Sequence, residues 1–172
     1  MLPPSEESRP YPLPVAESEL PPVVVRRARW DDVALFCALR LQWQNEEPSP
    51  EFEYRFTGWF KREWPSRWWW LALDDQRPVG MVNLKLFHRM PTAQDTTASW
   101  GYLCNLFVSP THRTQGVGGS LVGALLAVAQ DHDLVRVVLS PSEESVPLYQ
   151  RHGFTDAHGL LAWYPQVAGP GR

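Results

Sequence analysis

The stretch Asn105-Leu-Phe-Val-Ser-Pro-Thr-His-Arg113-Thr-Gln-Gly116-Val-Gly118-Gly119-Ser120 constrains this chain more than any other. Ahead of it, Trp100–Val108 is aromatic and aliphatic, and reads as a strand that ends before Pro110. Behind it, Val117–Gln130 is apolar on nearly every face, with small residues between, and reads as a buried helix. Glycines at such a junction let the backbone come close to a ligand, because no Cβ intervenes. The first N–H groups of the helix have no intrahelical partner and carry the positive end of its dipole. Together they make an anion site suited to phosphate or pyrophosphate. Arg113 adds a fixed charge and a fork of donors. No acidic residue lies between Asp95 and Asp131, so an incoming phosphate meets no local repulsion. Glycines alone would equally serve tight packing at a helix start.

The rest of the chain supplies a sheet and further helices. Val23–Arg29 reads as a first strand, and Asp31 or Asp32 can cap a helix whose face carries Leu35, Phe36, Leu39 and Trp43. A second helix covers about Glu51–Trp64, with Phe52, Phe56, Trp59 and Phe60 on one face and Pro65 as its stop. Trp68–Leu73 and Val79–His88 are strands joined by the turn Asp74–Arg77. Residues 91–99 form a polar loop. Leu134–Ser140 reads as a short buried strand, followed by a helix from about Glu144 to His152 with Gly153 as its C′ residue. Leu160–Tyr164 is a last strand. The order is α/β: a mixed central sheet with helices on both faces.

Composition sets the frame. The 172 residues suit one domain, and an apolar content of 44% supports a core. Residues 1–22 hold seven of the 17 prolines among Ser and Glu, and read as a disordered tail; 23–166 is the domain and 167–172 a short C-terminal tail. That first segment carries Glu6, Glu7, Glu17, Glu19 and Arg9, which accounts for the whole net charge of −3 and leaves 15 basic against 15 acidic residues. A neutral domain is not a bulk nucleic-acid binder. No run is long and apolar enough to cross a membrane, and the N-terminus lacks the features of a secretory signal. Cys37 and Cys104 make no disulfide framework, which points to a cytoplasmic location. The histidines His112, His132, His152 and His158 show no metal-ligand spacing, so no metal is expected.

Among phosphate sites, a Walker A loop would need Gly-Lys-Ser/Thr, which is absent. A dinucleotide fingerprint would need glycine where Leu121 stands. Arg113-x-x-Gly116-x-Gly118, followed by Leu148-Tyr149 and Gly153-Phe154, resembles the GNAT superfamily of N-acetyltransferases, and Val135–Tyr149 is similar to members carrying "VxLxPSExSVPLY". The resemblance spans about Val23–Tyr164. It implies a sheet whose strands splay to form an acetyl-CoA cleft. It also implies that the backbone of Leu106, Phe107 and Val108 pairs with the pantetheine arm. The amides of Arg113, Thr114, Gln115, Gly116, Val117, Gly118 and Gly119 would hold the pyrophosphate. Tyr149 would protonate the departing thiolate, and the amide of Val108 would stabilise the oxyanion of a direct transfer to a primary amine. Ser142 stands where the family often has Asn, and fits a CoA contact and a helix cap equally.

The acceptor side is less defined. No carboxylate lies on Trp100–Val108, so Glu46 and Glu47, in the link between the first two helices, are candidates for base or acceptor binding, with His88 behind them. Trp43, Tyr54, Trp59 and Trp64 lie on the helices expected to cover the acceptor; Tyr54 and Trp64, off or at the end of the apolar stripe, fit a pocket best. Both cysteines fit structural thiols better than nucleophiles. Alternatives are a non-catalytic acyl-CoA-binding or sensing domain and a Rossmann-like nucleotide module. The expected partners are acetyl-CoA and an amine, with a homodimer possible.

Overall fold

The computed structural model describes residues 23–93 and 98–156. The expected N- and C-terminal tails, part of the polar loop and the last strand Leu160–Tyr164 lie outside the described residues. Five strands and four helices follow in the order β1 (Val24–Arg27), α1 (Val33–Gln44), α2 (Pro50–Glu63), β2 (Arg67–Asp74), β3 (Arg77–His88), β4 (Ser99–Val108), α3 (Val117–Asp131), β5 (Val137–Val138) and α4 (Val146–Gln150). The strands lie side by side in chain order. β1 to β4 are antiparallel, and β5 joins β4 in parallel. The sheet is therefore mixed, as expected.

Alternation along β2 explains the layers. Trp69, Leu71 and Leu73 face one side and pack with Phe36 and Leu39 of α1 and Phe60 of α2. Trp70 and Ala72 face the other and pack with Leu121, Val122 and Leu125 of α3. A strand covered on both faces reads as a continuous apolar run, which is what Trp68–Leu73 shows. Leu121, Val122 and Leu125 are wholly buried; each such side chain contributes about 1.5–3 kcal/mol. The β2–β3 turn carries Asp75 and Gln76 at positive φ, the two-residue form that matches strand twist.

Local chemistry sets the helix starts. The Asp32 carboxylate accepts from the Arg29 N–H at 2.6 Å and from both terminal nitrogens of Arg26 at 2.7 and 2.8 Å. The Arg26 hydrogen bonds hold its pKa below the usual carboxylate value. At α2, the Ser49 hydroxyl accepts from the Phe52 N–H at 3.2 Å, with Pro50 in the first turn. Among the described residues no helix is long and apolar enough to cross a membrane.

Two expectations need correction. The strand expected over Leu134–Ser140 is reduced to Val137–Val138, which is half-buried rather than buried. Its pairing with β4 is limited to Gly101–Val137 and Tyr102–Val138. The helix expected from Glu144 to His152 is a 3-10 turn over Glu143–Ser145 and then α4, five residues long. Pro147 sits in its first turn, where a missing N–H costs nothing.

Candidate functional site

The site begins with an irregularity in β4. Met81 pairs with Phe107 but Asn83 pairs with Cys104, so Asn105 and Leu106 of β4 oppose the single residue Val82 of β3. This is a β-bulge, and Asn105 within it has φ +56°. A strict alternation would turn Asn105 to the α3 side. The bulge instead places it with Asn83 on the wall of a cavity under α1 and α2.

Beyond the bulge, one edge of β4 has no partner strand among the described residues. The Ser109 N–H donates to Val79 O of β3 at 2.8 Å. Backbone groups alternate along a strand, so Val108, one residue earlier, turns its N–H and C=O to the opposite edge. The Val108 carbonyl accepts from Arg113 Nε at 3.2 Å on that side. β5 covers this edge only at Gly101 and Tyr102. Leu106 and Val108 lean on the α3 side of the core, and Phe107 on the α1 and α2 side. Buried Ser109 donates its hydroxyl proton to Gln42 Oε1 at 2.7 Å, tying the end of β4 to α1.

The turn after β4 is held by its own side chains. Gln115 Nε2 donates to Thr111 O at 2.9 Å, and Thr114 Oγ1 donates to Arg113 O at 2.6 Å. His112 shares a hydrogen bond with Thr111 at one ring nitrogen and with Asp74 at the other, at 2.9 and 3.1 Å. The first α3 bond runs from the Ser120 N–H to Gly116 O, which leaves the amides of Val117, Gly118 and Gly119 without a helical acceptor. The three glycines serve different ends. Gly116 has φ +83°, and a Cβ there would meet nothing within 4 Å. Open space and a left-handed backbone fit a turn that receives a ligand. Gly118 and Gly119 instead give α3 a close approach to Leu148 and His152 beside α4.

Tyr149 is buried in the core on the α3 side, the cluster against which Leu106 and Val108 pack. Its ring meets Phe154 edge-on at 5.6 Å. Burial pushes its phenol pKa up, so it carries its proton throughout the neutral range. Ser142 is exposed and hydrogen-bonded to Ser145 at 3.1 Å, with no side-chain cap on the turn it precedes.

On the opposite face, a cavity of about 370 Å³ lies between the helix pair and the sheet. Its walls are Phe36, Arg40, Phe52, Phe56, Trp59 and Trp69, with Arg55 of α2 and with Met81, Asn83 and Asn105 from the strands. Behind Asn83 stands a polar network. Asn83 Oδ1 accepts from Arg67 at 2.8 Å and from the Cys104 thiol at 3.2 Å. Glu63 pairs with both Arg67 and Lys85, at 2.7 and 2.9 Å. Those bonds hold the Glu63 pKa down, which makes it a poor base. Burial raises the pKa of both thiols, so neither is poised as a nucleophile.

The other acceptor-side candidates lie elsewhere. Tyr54 is 82% exposed and does not line the cavity. Trp64 packs edge-on against Trp30 at 5.5 Å and against Phe60 at 5.2 Å, closing the end of α2. Glu47 is exposed, and Glu46 borders a separate groove with Cys37, Leu41 and Glu53. His88 is exposed and hydrogen-bonded to Ser99. The aromatic wall comes from Phe52, Phe56 and Trp59, which read as core by periodicity. Asn105 and Arg40 were not singled out from sequence. An asparagine inside a strand, poor at pairing and tolerant of positive φ, is the signal that marks the bulge.

Comparison with known proteins places the sequence and the fold. The sequence pattern of the Acetyltransferase (GNAT) family matches residues 33–154. The chain is similar to N-alpha-acetyltransferase 60 of Drosophila melanogaster, 28% identical over 89 residues that cover 48% of this chain and 32% of that protein. It is also similar to the uncharacterized N-acetyltransferase YjcF of Bacillus subtilis (strain 168), 27% identical over 84 residues that cover 49% of this chain and 53% of that one. The aligned segments thus span about a third and about half of these curated relatives. In fold, it is similar to a predicted acetyltransferase from Clostridium acetobutylicum solved with acetyl-CoA: TM-score 0.66, 21% identity, covering 83% of this chain and 96% of that chain. The family motif, the open β4 edge and the glycine turn fall within one matched stretch of sequence, and the chain belongs to the GNAT family of acetyltransferases.

Proposed function

We propose that the protein transfers an acetyl group from acetyl-CoA directly to the primary amine of a small molecule or peptide. One observation carries the reading: the open edge of β4 at Leu106–Val108 runs straight into a turn with free amides and an empty volume at Gly116. An extended, amide-bearing arm that ends in a pyrophosphate fits both halves. Leu106–Val108 would hold the arm by backbone pairing. The amides of Val117, Gly118 and Gly119, with Arg113 beside them, would hold the phosphates.

When bound, acetyl-CoA supplies a thioester to the acceptor. The Val108 N–H, on the open edge, would donate to the thioester oxygen as it gains charge. Tyr149 would give its proton to the leaving sulfur, and burial keeps that proton in place. Among the described residues no carboxylate lines the acceptor cavity. Glu46 and Glu47 are then left as solvent-side acids.

Calorimetric titration with acetyl-CoA, followed by a screen of amines for CoA release, tests the reading. Binding and acetyl-CoA-dependent release are expected. A protein that binds no acetyl-CoA would refute it.

A further inference from the structure

We propose that the acceptor is an amine that also carries a carboxylate and an apolar side chain, as a free hydrophobic amino acid does. The inference rests on the acetyltransferase reading and concerns what the acceptor cavity selects.

The charge of the cavity points one way. Arg40 and Arg55 line it, and among the described residues no acid does. Arg55 is already matched by Glu51 at 2.9 Å. Arg40 is not: among the described residues no carboxylate pairs with it. Its guanidinium lies 5.1 Å over the Trp43 ring and meets the Gln44 amide oxygen at 3.0 Å, in the amide orientation that satisfies both groups. Both partners are neutral, so its charge is unspent. Behind Asn83, Arg67 and Lys85 share the single carboxylate Glu63, which leaves a further positive charge by the wall.

A second, independent observation concerns Trp69. It lines the same cavity and is 4% exposed, yet its indole Nε1 has no hydrogen-bond partner. Among the described residues it is the one buried side-chain polar atom left so. Buried donors are almost always paired, and an indole N–H can only donate. An acceptor oxygen belonging to a ligand would satisfy it. Arg40 supplies the planar fork that reads a carboxylate. The remaining walls, Phe36, Phe52, Phe56, Trp59 and Met81, are apolar and suit a hydrophobic side chain. A volume of about 370 Å³ matches a small ligand. Polycationic amines would meet like charge here.

In the reaction, the C–N bond forms as the C–S bond breaks. The amine gives up its proton to solvent, the sulfur takes one from Tyr149, and Tyr149 regains its proton from solvent. The products are the N-acetyl carboxylate and CoA.

The test compares three matched pairs, L-phenylalanine, L-leucine and L-methionine against their amides, together with spermidine, by CoA release. Calorimetric titration of each acid into protein saturated with CoA runs alongside. At least one acid should exceed its amide by tenfold or more in kcat/KM. Arg40→Gln should raise the KM of that acid at least tenfold and leave its amide within about twofold, and Arg40→Lys should recover part of the loss. Arg40 is half-exposed on a helix, so both variants keep the fold. Amides or spermidine acetylated as well as the acids would overturn the proposal and leave the transferase reading intact. So would an Arg40→Gln enzyme that keeps its preference for the acid. Acids that bind through Arg40 but are never acetylated would overturn the transferase reading and leave the carboxylate site standing. A protein that neither binds nor acetylates any of the acids overturns the proposal outright.

Discussion

Tyr149 and Gly116 sit on either side of one problem, which is how to place a polar ligand against an apolar core. Tyr149 is buried, and burial alone raises its phenol above the ordinary value of about 10. As a proton donor it should cost about 10²- to 10⁴-fold in kcat when replaced by Phe. Acetyl-CoA affinity, measured by calorimetry, should stay within about twofold. Because its pKa is raised, the wild-type rate should show no descending limb below pH 10 that vanishes in Tyr149→Phe. Such a limb would remove Tyr149 from the acid's role. Gly116 makes a different demand. Its φ of +83° disfavours any residue with a Cβ, while the surrounding space is open. Gly116→Ala should therefore lose about 1–2 kcal/mol of stability in denaturant titration, from backbone strain rather than collision. Both residues were legible in the sequence, because each stands in a motif. Arg40 and Asn105 were not. Their relation to the cavity depends on which side of the sheet a residue faces, and one bulge changes that.

At the scale of elements, periodicity located the helices and strands well and the ends of β5 and α4 poorly. β2 and α3 are long and covered by partners, so their patterns repeat. β5 makes two pairings and is half-buried, so a run of Val and Leu from 134 to 139 overstates it. The bulge in β4 carried a cue in Asn105, but its register follows from β3 and is not a property of β4 alone. Packing between strands gives one sharp test. A Cβ on Gly101 would lie 2.6 to 2.9 Å from three side-chain atoms of Leu84, which is itself wholly buried. Gly101→Ala should cost about 1–3 kcal/mol, read from chemical denaturation. Asp32 gives another, at the start of α1. Its pKa is lowered in the folded state, chiefly by the hydrogen bonds from Arg26. A lowered folded pKa contributes stability that is full above the unfolded value of about 3.9, and that is lost as pH falls through the folded pKa. Asp32→Asn should thus destabilise by about 1–3 kcal/mol at pH 7. The gap to wild type should close as pH drops below about 4. An unchanged gap at pH 3 would mean that the carboxylate charge is not the cause.

Across the whole molecule, the sheet is unevenly held. β1 to β4 form a continuous antiparallel ladder between two packed layers, whereas β5 joins through Gly101 and Tyr102 and leads to a helix of five residues. Regions with few ladder bonds and half-buried side chains open locally at low free energy. The proposed ligand would lie along the uncovered edge of β4 and cap the start of α3, so it would bridge the strong and weak halves. At a concentration of 100 Kd, acetyl-CoA should raise the unfolding free energy by about 2.7 kcal/mol through mass action. Hydrogen exchange should show where. Among the described residues no acceptor meets the amides of Val108, Val117, Gly118 and Gly119, and these should slow on binding. Those of β2 and β3 are already paired and should respond only through the global term. The direction of Val108 is fixed by Ser109 donating to β3, so its protection is the sharpest single readout. If acetyl-CoA stabilised the protein while Val108 exchanged unchanged, the ligand would lie off the β4 edge, and Val108 would lose its place at the reacting oxygen.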